Sequence, residues 1–377
     1  MARNIITGID VGTSSIRVLV SEYVKGKNGL QVIGTAHKES RGLRHGYIVN
    51  FDDAAASIAE AVREAERSAK VKISRALLSV GGVSLGTLTG EASIAVSRAD
   101  AEVNDVDVKR VIGASESNLR DRVNRKILHT IPLGYKIDGK KVLVRPHGMK
   151  GGILEVRTLF VTCLEQHLED LVSAVEAAGV RVDDVIAAPI AESSVALSKL
   201  QKKAGCVLAN IGAETVSISV FEEGIPVSLQ VFPIGSTDIT NDIALGLKVP
   251  LEEAERIKKF RDEGNLKRKV DEIIEARLSD IFELIEAHLR KIGKNGLLPA
   301  GIILTGGGAI IGAIEDLAKS SLRLPAKVAT PRDIRDLSWS IEYGLCLLGL
   351  NPNAADESLG VKIAKQTGSN VIGWLKQ

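Results

Sequence analysis

Two short stretches have the composition needed to hold a phosphate. In Ile5 to Val20 (IITGIDVGTSSIRVLV) an apolar strand carries Asp10, turns through Gly12-Thr13-Ser14, and continues as a second apolar strand. In Cys206 to Phe221 (CVLANIGAETVSISVF) a β-type run ends at Asn210, turns through Gly212-Ala213-Glu214, and resumes with period-two alternation. Each predicts a β-hairpin with a tight turn of small residues. Such a turn brings backbone N–H groups close to an anion. Two of them, roughly 200 residues apart, predict two related halves that pinch a nucleotide. A third glycine feature, Gly306-Gly307-Gly308, follows the apolar run Ile302 to Thr305. Three consecutive glycines suit close backbone approach of a ligand better than a simple strand-to-helix turn.

Composition sets the frame around these loops. A chain of 377 residues exceeds what one hydrophobic core usually holds, so two to four subdomains are expected. With 45% hydrophobic and 25% charged residues it reads as an ordinary globular protein. Aromatics make up only 3%, so Val, Ile, Leu and Ala must build the core. A formal charge of +2 gives no argument for nucleic acid. Cys163, Cys206 and Cys346 each sit in apolar runs far apart, which points to reduced core thiols of a cytosolic protein. No apolar run is long enough to span a bilayer, and the first residues lack the apolar stretch of a signal peptide.

The elements that position the loops can be read in order. A strand over Leu30–Ala36 follows the first hairpin. Asn50 then caps a helix over Asp52–Ser68, with Ile58, Ala61, Val62 and Ala65 on one face. Arg75–Val80 is a buried strand. Residues 84–161 form a block with strands at Leu85–Leu88, Ala92–Val96, Lys126–Ile137, Lys141–Val144 and Leu154–Val161, and a helix starting near Asn104. Gln166–Ala178 is a helix, Val185–Ala188 a strand and Ile190–Leu200 a helix. After the second hairpin come a strand opened by Pro226, helices over Asp238–Leu247, Leu251–Arg261 and Lys269–Ile292, and a strand over Ala326–Ala329. Trp339–Leu350 closes the fold. The stripe Ile273, Ile274, Leu278, Ile281, Ile285, Leu289 and Ile292 is expected to be core.

The order GIDVGTSS, ANIGAET, PIGSTDITNDIALGL (Pro233–Leu247), AERIKK (Ala254–Lys259), GIILTGGGAIIGAIEDLA (Gly301–Ala318) resembles the actin-like ATPase superfamily. The segments ILHTIPLGYKIDG and RPHGMKGGILEVRTLFV, with the loop GLRHGYIVN, look like the FtsA family of bacterial division proteins. That resemblance covers about residues 4–350. It implies an α/β fold with duplicated actin-like (ribonuclease H-like) domains around a nucleotide cleft and a small α+β subdomain inserted in the first half. Its implied units are 1–83 with 162–200, the insert 84–161, a second domain 201–350 with a smaller lobe at about 240–300, and a linker and tail 351–377.

The resemblance implies ATP and Mg²⁺ as ligands. Asp10, and Asn210 from the other side, would support the metal through water, since Mg²⁺ keeps most of its hydration shell. Gly12, Thr13, Ser14, Ser15 and Arg17 would serve the phosphates from one side, and Gly212, Ala213, Glu214, Thr215 and Gly235 from the other. Glu255, Lys258 and Lys259 would touch ribose and adenine, or form a solvated face. Gly306, Gly307 and Gly308 would lie against base and ribose. Departures from the family pattern bear on turnover. Asn210 stands where relatives have Asp, Ala188 where they often have Gln or Glu, and Ser15 where they often have Lys. Glu214 replaces a glycine. Two like charges about 4 Å apart cost about 4 kcal/mol at an effective dielectric near 20, so Glu214 must point away from phosphate or bind through metal. Lost acid–base groups cost roughly 10²–10⁴-fold in rate, so at most slow ATP hydrolysis is expected.

Family resemblance also implies head-to-tail self-assembly, docking on the inner face of the cytoplasmic membrane at the division site, and linkage of the tubulin-like division protein FtsZ to it through a C-terminal peptide. Val371, Ile372, Trp374, Leu375 and Lys376 have the chemistry of a short interfacial anchor, although Gly373 is a poor helix residue; either the native chain continues or the anchor is weak. An actin-like pilus-assembly adaptor of the PilM kind is the alternative. A sugar kinase or chaperone ATPase is disfavoured, because no second cleft carboxylate is evident and only a short segment follows Leu350.

Overall fold

An antiparallel three-strand meander followed by two parallel strands occurs twice in this chain. The computed structural model describes residues 4–24, 30–260, 265–330, 334, 336–350 and 362–363. In the first half, β1 (Asn4–Val11), β2 (Ser15–Tyr23) and β3 (Leu30–Glu39) form the meander. A small hairpin follows, β4 (Leu43–Arg44) with β5 (Tyr47–Ile48). Next come α1 (Phe51–Ala69) and β6 (Arg75–Val80), which pairs parallel to β1. Asn50 caps α1 by accepting from the Asp53 N–H at 3.3 Å, and Ile58, Ala61, Val62 and Ala65 are buried as the periodicity requires.

The insert is β7 (Gly86–Ala95), α2 (Asp105–Ser117), β8 (Arg125–Ile137), β9 (Lys140–Val142) and β10 (Ile153–Leu164). Val103, Val111, Ile137, Leu154 and Val156 give it a core of its own. The two strands expected around Gly90 are one strand. A Cβ at Gly90 would collide with the Ser115 carbonyl, so this glycine lets α2 press onto an unbroken β7 rather than ending it. Asn104 caps α2 in a full capping box with Asp107.

The first half ends with α3 (Glu165–Ala177), β11 (Arg181–Ala187), α4 (Ala188–Ala196) and α5 (Lys199–Ala204). Where one helix was expected over Ile190–Leu200, there are two. Ser198 accepts from the Gln201 N–H while Gln201 reaches back to Ser198, and this capping box starts a new helix.

The second half repeats the plan: β12 (Cys206–Ile211), β13 (Val216–Glu222), β14 (Ile225–Phe232), then α6 (Ser236–Leu247), α7 (Leu251–Phe260), α8 (Asn265–Lys291), β15 (Ile302–Thr305), α9 (Ile314–Leu322), β16 (Ala326–Val328) and α10 (Ser340–Leu350). Strand order β3-β2-β1-β6-β11 in one sheet matches β14-β13-β12-β15-β16 in the other. The second sheet runs on through β14 to the insert strands β7, β10 and β8. Ile274, Leu278, Ile281, Ile285 and Leu289 of α8 are buried under this half, with Ile273 and Ile292 partly buried. Full burial of each such side chain contributes about 1.5–3 kcal/mol. Two residues of the segment read as a linker, Lys362 and Ile363, form β17 and pair antiparallel with Thr130 and His129 of β8. The three cysteines are buried and free, their thiols pushed up to about 12 by burial.

Candidate functional site

Strand pairing builds both phosphate-type turns in the same way. In the β1–β2 turn the Gly12 N–H donates to the Ser15 carbonyl at 3.1 Å; in the β12–β13 turn the Gly212 N–H donates to Thr215 at 2.9 Å. A Cβ on Gly12 would sit 2.9 Å from its carbonyl, closer than packing allows, and one on Gly212 would sit 3.0 Å from its own, so that carbonyl would have to give way. Asp10 and Asn210 occupy equivalent places two residues earlier, opposite Arg17 and Ser217. Thr13 and Ser14 reach the rim of the first turn, whereas Ser15 is buried at the start of β2.

The small β4–β5 hairpin ties the two turns together. The Gly46 N–H donates to Thr13 Oγ1 at 3.1 Å. One residue earlier, the His45 N–H donates to Glu214 Oε2 at 2.7 Å, with His45 Nδ1 3.1 Å from the Glu214 carbonyl. His167 of α3 holds the hairpin from behind: its Nε2 lies 2.9 Å from the Gly46 carbonyl, its Nδ1 2.5 Å from the Ser84 hydroxyl, and its ring 4.6 Å from that of Tyr47. The Glu214 carboxylate thus turns to a backbone donor of the other half. Sequence reading missed His45, Tyr47 and His167. The signal was the glycine-flanked GLRHGYIVN loop, whose hairpin joins residues distant in the chain.

Gly235 lets α6 approach the second turn, since a Cβ there would lie 2.8 Å from the Glu214 nitrogen. The Ser236 and Thr237 N–H groups donate to the Gly212 and Ala213 carbonyls at 2.9 and 2.8 Å. Lys258 packs inward from α7. Its ammonium is buried against α6, donating to the Ser236 carbonyl at 2.9 Å and to Thr240 Oγ1 at 2.7 Å, and pairs with Glu255 at 2.7 Å. Glu255 also accepts from Thr240 at 2.6 Å. Lys259 remains mostly exposed, 3.3 Å from Glu255.

Gly306 has φ +82, which favours glycine. A Cβ there would also meet Asn210 Oδ1 at 2.5 Å, whereas one on Gly307 would meet nothing within 4 Å. The glycines open a short 3₁₀ turn, Gly307–Ile310, and α9 starts only at Ile314. The open space over Gly307 is where a planar base could rest against backbone.

Carboxylates need the largest correction. Three are buried beneath these loops, not one: Asp10, Glu192 of α4 and Glu342 of α10. Asp10 accepts from the Ser79 hydroxyl; burial raises its pKa, and Ser79 and Arg17 pull it back. Arg17 therefore sits beside the buried acids. Glu192 Oε1 accepts from Asn210 Nδ2 at 2.9 Å and from the Ser340 hydroxyl at 3.2 Å. Burial raises the Glu192 pKa, while Asn210, Thr305 and Ser340 lower it. Glu342 is fully buried, and neither of its oxygens has a hydrogen-bond partner among the described residues. Burial, then the nearby Asp10, pushes its pKa well above the usual glutamate value. Both residues were legible in principle, as lone acids in the apolar helices PIAESSVA and SIEYGLCLL.

Val371, Ile372, Trp374, Leu375 and Lys376 lie outside the described residues. Among the described residues no helix is long and apolar enough to cross a membrane.

Comparison with known proteins fits this architecture. The family described as "Cell division protein FtsA" matches residues 207–344, and the "SHS2 domain inserted in FTSA" matches 82–162. The chain is 31% identical to cell division protein FtsA of Pseudomonas aeruginosa, over 94% of this chain and 92% of that one. It is likewise 31% identical to FtsA of Bacillus subtilis, over 95% and 86%. Among solved structures, a PilM–PilN type IV pilus biogenesis complex superposes with TM-score 0.66 at 16% identity, covering 92% of this chain and 99% of that one. MreB5 of Spiroplasma citri bound to AMPPNP gives 0.57 at 13%, covering 94% and 98%. These two likenesses establish the actin-like fold, and the sequence relatives establish the rest: the chain belongs to the FtsA family of cell division proteins.

Proposed function

We propose that the cleft between the two turns binds ATP with Mg²⁺, that turnover is slow, and that the bound form assembles head to tail and tethers the tubulin-like division protein FtsZ to the cytoplasmic membrane. The observation that carries the binding reading is the duplicated glycine turn, closed in each half by the same hydrogen bond and bridged by one hairpin. Among the described residues no three His, Cys, Asp or Glu side chains are grouped to hold a metal. One buried carboxylate, Asp10, and the amide oxygen of Asn210 suit a hydrated Mg²⁺ brought in by phosphates. When bound, the metal would neutralise phosphate charge. Asp10 would hold its water shell on one side, and the Gly307 backbone would leave room for the base.

Slow turnover follows from what lines the cleft. Asn210 cannot act as a base, Ala188 carries no polar atom, and Glu192 is buried against Asn210 and Ser340. Family membership favours division over the pilus, kinase and chaperone readings. Membrane docking rests on the tail sequence. Burying Val371, Ile372, Trp374 and Leu375 offers at most about 1.5–3 kcal/mol each, so one copy binds weakly and a filament presenting many copies binds well. Liposome pelleting with and without ATP tests the whole reading. ATP-dependent pelleting, lost in Trp374→Glu while filaments persist in solution, supports it. Equal pelleting by monomer, or by Trp374→Glu, overturns the tether.

A further inference from the structure

In the second half, the acid expected at the end of β12 has not simply disappeared. Asn210 Nδ2 donates to Glu192 Oε1 at 2.9 Å, and that same oxygen also accepts from the Ser340 hydroxyl, which marks it as an acceptor. The amide is therefore fixed in one orientation, with Oδ1 directed at Gly306, where a Cβ would lie 2.5 Å away. Among the described residues no donor reaches that oxygen. Glu192 in turn is buried and oriented by the Ser340 hydroxyl at 3.2 Å, and α4 is held by α10, where Gly344 lets the helices touch at Ala191.

We propose that Asn210 and Glu192 form a transposed carboxylate: Glu192 is a positioning residue that holds the Asn210 amide oxygen toward the cleft, as a neutral acceptor for the water shell of a phosphate-bound cation. The carboxyl group expected at the strand end stands one side chain back, on α4 rather than on β12. This rests on the nucleotide reading above. A consequence is that the two positions are interdependent. Asp at 210 with Glu at 192 would put two buried carboxylates in contact, so restoring the acid requires removing Glu192.

The test measures ATP affinity in Mg²⁺ and in EDTA, with melting temperature, for full-length wild type, Glu192→Ala, Asn210→Asp and the double variant. Losing the hydrogen bond that orients an acceptor is expected to cut the Mg²⁺-dependent gain in affinity by about 10-fold in Glu192→Ala, with affinity in EDTA unchanged. Asn210→Asp alone should melt several degrees lower, about 2–4 °C or more. Adding Glu192→Ala to it should recover both the melting temperature and the Mg²⁺-dependent gain. Additive effects, or a full Mg²⁺-dependent gain in Glu192→Ala, would overturn the pairing. If wild type binds no nucleotide, the functional reading itself fails, which is a distinct outcome. Failure of Glu192→Ala to fold leaves the melting comparison of Asn210→Asp with Asn210→Asp/Glu192→Gln, and equal values there also overturn the proposal.

Discussion

The two halves carry the same turn and different buried acids around it. In the first, the strand end is the acid Asp10, which accepts from Ser79, and Glu342 arrives from α10 of the other half with neither oxygen partnered among the described residues. In the second, the strand end is an amide, and Glu192 arrives from α4 with Asn210 and Ser340 as donors. The halves thus exchange helices, and each helix brings a glutamate under the opposite turn. Where that glutamate meets an amide, it is satisfied. Where it meets Asp10, burial and that neighbour raise its pKa. An internal repeat fixes backbone positions closely but leaves charge free to be reassigned, so symmetry of fold does not imply symmetry of chemistry.

Asp10 and Asn210 should therefore differ sharply when removed. Asp10→Ala is expected to lower affinity for Mg²⁺·ATP by roughly 100-fold, the upper range for a charged hydrogen-bonding group. Asn210→Ala should lower it by about 10-fold. Isothermal titration of both variants checks the ratio; equal losses would mean that the halves contribute alike.

Much of this comparison could be read from the sequence, because it rests on local rules. Glycine turns between period-two strands, the Asn50 cap of α1 and the stripe on α8 all follow from neighbours in the chain. The acids did not, because their meaning depends on which helix lies under which loop. Glu192 and Glu342 stand out as lone acids in apolar helices, but nothing local says which loop they underlie until α4 and α10 are packed between the halves. The same holds for Glu214, whose carboxylate accepts from the His45 N–H, distant in sequence. The break before α5 was missed because Ser198 and Gln201 also fit a continuous helix.

Glu342 gives the next effect. Its folded-state pKa lies above the usual 4.5, so the folded chain retains a proton that the unfolded chain releases. Its contribution to stability is complete below about pH 4.5 and is lost as pH rises toward the folded value. Asp10 and Glu192 oppose its ionisation and Arg17 favours it. Glu342→Gln should accordingly raise the melting temperature at pH 8 by a few degrees, on the order of 2–4 °C per kcal/mol relieved, and change little at pH 4. The same substitution at Glu192 should not stabilise, since Glu192 has donors. Differential scanning across pH 4–9 separates the two glutamates.

The smallest effect is expected at the clasp. Glu214→Gly removes the acceptor for the His45 N–H and a negative charge from the turn. Stability without nucleotide should fall by about 1 kcal/mol, while affinity for ATP rises several-fold as repulsion is relieved. Unchanged affinity would show that Glu214 already sits clear of the phosphates.

We propose that the first half retains the group that holds Mg²⁺·ATP and that the second lacks the group that would cleave it. One experiment reads both: mixing the full chain with radiolabelled ATP and Mg²⁺ in single turnover, following bound nucleotide and released phosphate together. The expected result is nucleotide that is retained, dependent on Asp10, with phosphate appearing roughly 10²-fold or more slowly than from an ordinary active ATPase. Prompt phosphate release that Asp10→Ala abolishes would contradict it.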